Sequence, residues 1–295
     1  MQKANMEAKT VVITGATAGI GFATALQLAG QGAFVIGVGR ALDRCNLAKQ
    51  KISAQFPQAR IAFLVADLSS QKQIHQLAGN IGAVITTEGK GALDVLINNA
   101  GAVSSWYTTT PEGFELQFAV NHLAPFLLTN LLWPYLQKAP DGRVITVSSG
   151  SHFRTKINWG DIQLRKGYHC LKAYKQSKLA NVLFTCELNR RREPGSSVRA
   201  YAVDPGLVNT EIGFKGTTGL VRRVWSWRAR SGRPPEKGAA TSVYLANQAV
   251  LPTRDAVYWV DCRPSRASRY ALREDMAGRL WELSAKMCGI RADLG

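Results

Sequence analysis

The chain has 295 residues, of which 46% are hydrophobic and 19% are charged, a balance typical of a globular protein with a sizeable core. Its five scattered cysteines form no CxxC pair, which argues against a disulfide framework or a zinc site and favours a reducing compartment. The start, MQKANMEAKT, lacks the apolar core of a signal peptide, and prolines and polar residues interrupt the most apolar stretch, residues 116–136. We therefore expect a soluble, cytoplasmic protein.

The formal net charge of +17 leaves several kinds of partner open. Nucleic acid and an anionic membrane surface both attract strongly basic proteins. The charge is equally compatible with little more than solubility and a negatively charged small ligand. Where the basic residues lie along the chain bears on this choice.

Short β-rich runs alternate with helical segments from residue 10 onward. Near-continuous apolar strands separated by helices are typical of a parallel sheet that is buried on both faces. No internal repeat or linker interrupts this pattern, so we predict one α/β domain over residues 1–295. Its predicted strands are residues 10–14, 33–38, 61–65, 93–97, 143–147, 198–203 and 257–260.

A glycine-rich turn, TGATAGIG, follows the first predicted strand and opens a helix. Its three glycines have the spacing GxxxGxG, which lets the backbone come close to a pyrophosphate at the positive end of the helix dipole. Glycine-rich turns are common, but one placed between a first strand and a helix indicates a dinucleotide site. The residues expected to contact the cofactor here are Gly15, Thr17, Ala18, Gly19, Ile20 and Gly21.

The ends of the next strands extend this cofactor site. Arg40 follows the second strand, where a carboxylate would usually accept a hydrogen bond from a ribose 2′-hydroxyl. A guanidinium at this point suits a 2′-phosphate, so we expect NADP rather than NAD. After the third and fourth strands, the residues expected near the adenine and beside the cofactor are Asp67, Leu68, Asn99, Ala100 and Gly101.

Tyr174 and Lys178 lie four residues apart at the start of a helical pattern, YKQSKLANVLFTCEL. Residues at this spacing share one face of a helix. The pair is therefore either an ordinary surface pair or a proton donor whose pKa a nearby cation lowers. The two residues alone do not decide between these interpretations.

The ordered motifs TGATAGIG, NNAG, Asn121, the VSS that ends at Ser149, YKQSK and Asp204-Pro205-Gly206 resemble the short-chain dehydrogenase/reductase family over residues 9–212. Its retinol-dehydrogenase-like branch is similar in sequence at three further stretches, AVNHLAPFLLT, RVITVSSGSH and YWVDCRPSRAS. This branch also resembles protochlorophyllide reductases. The resemblance implies a Rossmann-type, doubly wound fold with a seven-stranded parallel sheet. It also implies a C-terminal strand and helix over residues 255–291.

The same resemblance implies roles for individual residues. Tyr174 would be the general acid in reduction or the base in oxidation, and Lys178 would lower its pKa and hold the nicotinamide ribose. Ser149 would donate a hydrogen bond to the reacting oxygen, and Asn121 would hold a water that passes protons to Lys178. The residues implied to border the nicotinamide are Pro205, Gly206, Val208 and Thr210.

A variable substrate-covering segment is expected over about residues 207–238. Within it, residues 220–233, from Leu220 to Arg233, contain five arginines and two tryptophans. We interpret them as a lid over a bulky, apolar substrate or as a weak contact with an anionic membrane surface. A nucleic-acid partner is not expected. A homodimer or a higher homo-oligomer is expected, and His152 and His169 are given no role.

Three functions remain open. The first is an NADPH-dependent carbonyl reductase or alcohol dehydrogenase that acts on a lipophilic or aromatic compound. The second is a reductase of an activated carbon–carbon double bond, and the third is a non-catalytic NADP-binding regulator. The presence of Ser149, Tyr174 and Lys178 disfavours the regulator, because a pure sensor needs no proton donor.

Overall fold

The computed structural model describes residues 6–7, 9–209, 232–251, 253 and 255–294 of the chain. These residues build one sheet. Its strands are β1 (Thr10–Thr14), β2 (Phe34–Gly39), β3 (Ile61–Val65), β4 (Val95–Asn98), β5 (Arg143–Val147), β6 (Arg199–Asp204), β7 (Tyr258–Val260) and β8 (Arg263–Ser265). They lie in the order β3-β2-β1-β4-β5-β6-β7-β8, and the pairings among β1 to β7 are all parallel.

The helices cover both faces of the sheet. They are α1 (Gly19–Ala29), α2 (Leu42–Gln55), α3 (Gln71–Glu88), α4 (Leu116–Phe118), α5 (Ala124–Leu136), α6 (Cys170–Arg191), α7 (Pro235–Asn247) and α8 (Glu274–Cys288). Helices α1, α2 and α7 pack on one face, and α3, α5, α6 and α8 on the other. The fold is thus the doubly wound α/β Rossmann type that the sequence predicts.

The apolar runs of the central strands supply the core. Every residue of β1, β2, β4 and β5 is buried, because helices cover the sheet from both sides. On the α5–α6–α8 face, Trp281 packs edge-on against Phe126 and stacks on Phe184. On the other face, Trp259 packs edge-on against Tyr201. These large side chains hold the sheet and its two helical layers rigidly together.

Among the described residues the sheet has eight strands, so the prediction of seven was short by one. Asp261 and Cys262 adopt left-handed backbone conformations, with φ of 47° and 60°, and turn the chain back after β7. β8 then pairs antiparallel with β7 at the edge of the sheet. Its sequence, Arg-Pro-Ser, has no strand-like pattern, and Pro264 is tolerated there because an edge strand has an unpaired side.

Candidate active site

A cleft of about 1100 Å³ opens where the strand order reverses, at the carboxyl ends of β1 and β4. Open α/β sheets bind ligands at this switch point, because the loops on either side diverge there. The cleft runs from the loop after β2 to the start of α6 and the loop after β6. It therefore joins the regions that the sequence motifs predicted separately.

The glycine-rich turn forms the floor of the cleft. Gly15 and Gly19 have φ of 69° and 54°, a region that favours glycine. A Cβ on Gly21 would lie 2.2 Å from the Gly15 carbonyl oxygen and 2.4 Å from Asn99 Nδ2. Helix α1 begins here without a side-chain cap or an acidic residue in its first turn. Its N-terminus is thus open to an anionic group, which fits a dinucleotide pyrophosphate.

The predicted turn residues occupy this floor with one exception. Gly15, Thr17, Ala18, Ile20 and Gly21 line the cleft, whereas Gly19 shapes the turn without reaching the cleft wall.

The loop after β2 closes one end of the cleft. Arg40 lines it directly after the strand, and Arg44, in the first turn of α2, lines the same end. A Cβ on Gly39 would come within 2.4 Å of Thr17 Cγ2 and 2.6 Å of Cys45 Sγ. Asp67 and Leu68, after β3, are also lining residues. Arg44 was not predicted, because Arg40 lies before α2 and the spacing of the two residues does not show that both reach the cleft.

The end of β4 is bonded to the end of β1. The Thr14 hydroxyl accepts hydrogen bonds from the backbone N–H groups of Asn99 and Ala100, both at 3.0 Å. The Asn99 amide in turn donates to the Thr14 carbonyl oxygen at 2.8 Å. Asn99, Ala100 and Gly101 consequently line the cleft beside the glycine-rich turn.

Ser149, Tyr174 and Lys178 line the other end of the cleft together. Ser149 ends the loop after β5, and Tyr174 and Lys178 lie one turn apart near the start of α6. The Lys178 ammonium lies 5.7 Å from the centroid of the Tyr174 ring and donates a hydrogen bond to the Val147 carbonyl oxygen at 3.0 Å. The structure therefore brings the three residues to one place.

Burial sets the electrostatics of Lys178. Its side chain is almost fully buried, and this loss of hydration lowers its pKa from the ordinary 10.5 to about 8. The charge of Asp204 partly opposes the shift by favouring the ammonium form. Asp204 itself accepts hydrogen bonds from the Gly206 backbone N–H at 2.9 Å and the Tyr258 hydroxyl at 3.1 Å.

Asn121 lies behind the cleft rather than on its wall. It sits in a π-helical turn (Ala119–Leu123) that joins α4 to α5, and its side chain is completely buried. The Asn121 amide binds both backbone groups of Ala102 and donates to the Ser177 hydroxyl at 2.9 Å. π-helical turns are frequent at functional sites, and this one places Asn121 next to the residue that precedes Lys178.

The loop after β6 borders the cleft with Pro205, Gly206, Leu207 and Val208. Arg233 pairs with this loop, since its N–H donates to the Leu207 carbonyl and its carbonyl accepts from the Asn209 N–H. The predicted nicotinamide contact Thr210 lies outside the described residues.

His152 is a residue near the site whose importance the sequence did not show. It is fully buried in the turn after Ser149. Its Nδ1–H donates to the Ser149 carbonyl oxygen at 2.8 Å, and its Nε2 accepts from the Ser268 backbone N–H at 3.1 Å. Burial lowers the pKa of His152, which favours the neutral ring that these two bonds require. The ring thus fastens the serine loop to the C-terminal segment.

A glycine-rich turn at the switch point, continuous with a serine, a tyrosine and a buried lysine in one cleft, defines a dinucleotide-dependent oxidoreductase. The short chain dehydrogenase family model matches residues 9–218. The chain belongs to the short-chain dehydrogenase/reductase family, in its retinol-dehydrogenase-like branch, and is an oxidoreductase that uses a nicotinamide cofactor.

Individual relatives agree with this assignment. The chain is 38% identical to human retinol dehydrogenase 13 over 98% of its own length and 87% of the relative's. It is 33% identical to an uncharacterized protein of Mycobacterium paratuberculosis of known structure, with a TM-score of 0.77 and coverage of 100% and 97%. A metagenomic short-chain oxidoreductase in complex with NADP is 26% identical, with a TM-score of 0.60 and coverage of 83% and 94%. Among the helices that the structure describes, none is long and apolar enough to cross a membrane.

Proposed function

We propose that the protein transfers a hydride between NADP(H) and the carbonyl or alcohol carbon of a lipophilic or aromatic substrate. The observation that carries this proposal is the convergence of Ser149, Tyr174 and the buried Lys178 at one end of a cleft whose floor is the glycine-rich turn. A site that only binds a nucleotide needs no such group of proton-handling residues. When bound, the nicotinamide supplies or accepts the hydride.

The chain's own residues would position the substrate and move the proton. Tyr174 donates its phenolic proton to the carbonyl oxygen in reduction and takes it back in oxidation. The Lys178 ammonium, 5.7 Å from the Tyr174 ring centroid, favours the phenolate that remains. Ser149 donates a hydrogen bond to the same oxygen. Asn121 holds the Ala102 backbone and Ser177 in place and serves the path by which Lys178 regains a proton.

Residues along the rest of the cleft would hold the cofactor. Amide groups at the start of α1 would bind the pyrophosphate, and Lys178 would bind the nicotinamide ribose. Asp67 and Leu68 are proposed to contact the adenosine end. Beside the middle of the cofactor we propose Asn99, Ala100 and Gly101. The residues proposed around the nicotinamide are Pro205, Gly206, Val208 and Thr210.

We propose that NADP is preferred over NAD. Arg40 stands directly after β2, where NAD-dependent proteins usually place a carboxylate, and Arg44 lines the same end. Two guanidinium groups suit the additional phosphate of NADP, and Arg can bind it through two parallel hydrogen bonds. The relative of known structure that is in complex with NADP is consistent with this choice.

The substrate class follows from the reaction end of the cleft. The residues that line it include Val103, Val120, Leu171 and Leu207, which would receive an apolar body. The name retinol dehydrogenase, borne by the 38% identical human relative, supports a lipophilic alcohol or aldehyde. The predicted lid tryptophans, Trp225 and Trp227, lie outside the described residues.

We also propose a weak, salt-sensitive contact of residues 220–233 with an anionic membrane surface, together with a cytoplasmic location and a homo-oligomeric state. Five arginines and two tryptophans in this segment support the membrane contact. Of the segment, only Gly232 and Arg233 are among the described residues. Co-sedimentation at low salt tests the contact, and equal recovery with neutral and anionic vesicles would contradict it.

Replacing Tyr174 with Phe tests the central proposal. The Tyr174→Phe variant should lose turnover of aldehydes and ketones while it binds NADPH nearly as tightly as the parent, because the phenol supplies a proton. Tyr107→Phe, at a tyrosine outside the cleft, is the matched control. Product analysis with NADPH should give an alcohol; a saturated carbon–carbon bond would instead identify an enone reductase. Turnover near the parent rate in Tyr174→Phe would remove Tyr174 from the mechanism.

A further inference from the structure

The reaction end of the cleft is apolar in its walls but cationic at two points. Phe153 and Leu207 line it and are each 42% exposed, so both leave apolar surface that the body of a ligand would cover. Arg154, in the turn after Ser149, and Lys175, the residue after Tyr174, line the same cleft. Both cations therefore belong to the segments that carry Ser149 and Tyr174, and they lie far along the sequence from Arg40 and Arg44, which line the other end.

No carboxylate is paired with these two cations within the part of the chain that the structure describes. Neither Arg154 nor Lys175 forms an ion pair there. The only carboxylate among the described lining residues near Ser149 and Tyr174 is Asp204. Its two oxygens accept hydrogen bonds from the Gly206 N–H and the Tyr258 hydroxyl, and its negative charge acts on Lys178. Two positive charges are thus available to a ligand.

The base of Arg154 is fixed rather than free to swing. Arg154 has a left-handed backbone conformation, with φ of 54°, which is uncommon for residues other than glycine, Asn and Asp. Two residues before it, His152 is buried and bonded on both ring nitrogens, to Ser149 and to Ser268. The turn therefore presents Arg154 from a defined point beside the catalytic serine.

We propose that Arg154 and Lys175 bind an anionic group, a carboxylate or a phosphate, at the far end of an otherwise apolar substrate. This inference rests on the proposed function and narrows its substrate class to amphipathic anions. A guanidinium binds carboxylate and phosphate through paired hydrogen bonds, and a nearby ammonium adds a second charge. The apolar lining residues Phe153 and Leu207 would hold the body of the substrate between its anionic group and its carbonyl.

Matched pairs of aldehydes test the proposal. A neutral n-alkyl aldehyde is compared with the ω-oxo acid and the ω-phosphate aldehyde of the same chain length, over a range of lengths, by the loss of NADPH absorbance. We expect kcat/KM to be about tenfold or more higher for at least one anionic aldehyde, an advantage that shrinks with added salt. Whichever of the two anionic aldehydes, the carboxylate or the phosphate, has the higher kcat/KM identifies the group that the site prefers.

Variants assign the effect to the two cations. The double variant Arg154→Gln, Lys175→Gln should bring the ratio of anionic to neutral kcat/KM close to one. The control is the double variant Lys156→Gln, Lys172→Gln. It removes two exposed lysines of the same two segments, neither of which lines the cleft. The control should keep the parent's ratio.

The outcomes separate this proposal from the function on which it rests. Equal kcat/KM for neutral and anionic aldehydes in the parent would overturn the anionic substrate class and leave carbonyl reduction intact. A preference that survives in the Arg154, Lys175 variant would overturn the assignment to these residues. If the parent binds NADPH but consumes no aldehyde of either kind, the proposed function fails and this inference with it.

Discussion

Replacing Lys178 with Met should make the protein more stable at neutral pH while it removes catalysis. The Lys178 side chain is almost fully buried, and its ammonium must be held there without its water shell. Methionine has a similar length and carries no charge, so it avoids this cost. The variant therefore separates the thermodynamic cost of the ammonium from its use in the reaction.

The magnitude follows from the pKa of Lys178 and its hydrogen bond. The fall from 10.5 to about 8 corresponds to about 3 kcal/mol against the charged form in the folded state. The variant loses the hydrogen bond to the Val147 carbonyl, worth about 1 kcal/mol. That carbonyl keeps a partner, since the Asn181 amide also donates to it at 3.2 Å. We expect a net gain of about 2 kcal/mol in the free energy of unfolding.

The gain should depend on pH in a defined direction. The unfolded chain keeps the Lys178 proton up to about pH 10.5, whereas the folded chain releases it near pH 8. Between these values the unfolded state binds more protons, so the parent gains stability as pH rises. The advantage of Lys178→Met should therefore be greatest below pH 8 and should shrink by about 1.4 kcal/mol per pH unit above it.

Urea unfolding of the cofactor-free proteins, monitored by tryptophan fluorescence at several pH values between 7 and 10, measures this difference. Lys172→Met, at an exposed lysine on the same helix, is the control and should show no such pH dependence. A Lys178→Met protein that is less stable than the parent at pH 7 would refute the argument. So would a stability difference that does not change between pH 8 and pH 10.

Three further predictions concern the cofactor end, the glycine-rich turn and the serine loop. Arg40→Ala should lower the ratio of NADPH affinity to NADH affinity by roughly 10- to 100-fold, mainly because NADPH binds more weakly. Titration of both cofactors measures this ratio, and a parent protein that binds both equally tightly would refute the prediction. Gly21→Ala should destabilise the protein by about 1–3 kcal/mol and weaken cofactor binding, because its Cβ would lie 2.2 Å from a carbonyl oxygen. Gly79→Ala, in an α3 site where the Cβ meets nothing within 4 Å, should instead stabilise slightly, and denaturant unfolding compares the two. His152→Phe should lower kcat and stability, and it should reduce the loss of stability that the parent shows as pH falls below 6.5, since the His152 ring takes up a proton there only in the unfolded parent. The buried His122, whose pKa burial also lowers, keeps its own share of that loss. An unchanged acid limb in the unfolding titration would contradict this prediction.

The sequence alone determined the parts of this protein that depend on local pattern. Runs such as Thr-Val-Val-Ile-Thr in β1 have consecutive apolar residues instead of an alternation of polar and apolar ones, because both faces of a central parallel strand are buried. The order of elements and the fold class could therefore be predicted. The spacing of Gly15, Gly19 and Gly21 predicted the tight turn that begins α1, because Gly15 and Gly19 have left-handed backbone conformations and a Cβ on Gly21 would clash. The four-residue spacing of Tyr174 and Lys178 put them on one helix face, and the resemblance of the motifs to a family supplied their roles.

Only the tertiary structure decided what depends on residues far apart in the chain. The pKa of Lys178 falls because distant elements bury it, and no local pattern encodes that burial. His152 meets Ser268 across 116 positions, so its two hydrogen bonds appear only once the C-terminal segment has packed against the serine loop. The eighth strand arises from two left-handed residues followed by a sequence with no strand-like pattern, where pairing with β7 outweighs the weak local preference. Arg154 and Lys175 likewise line the same cleft only after folding, because their spacing in the sequence does not show which segments come together.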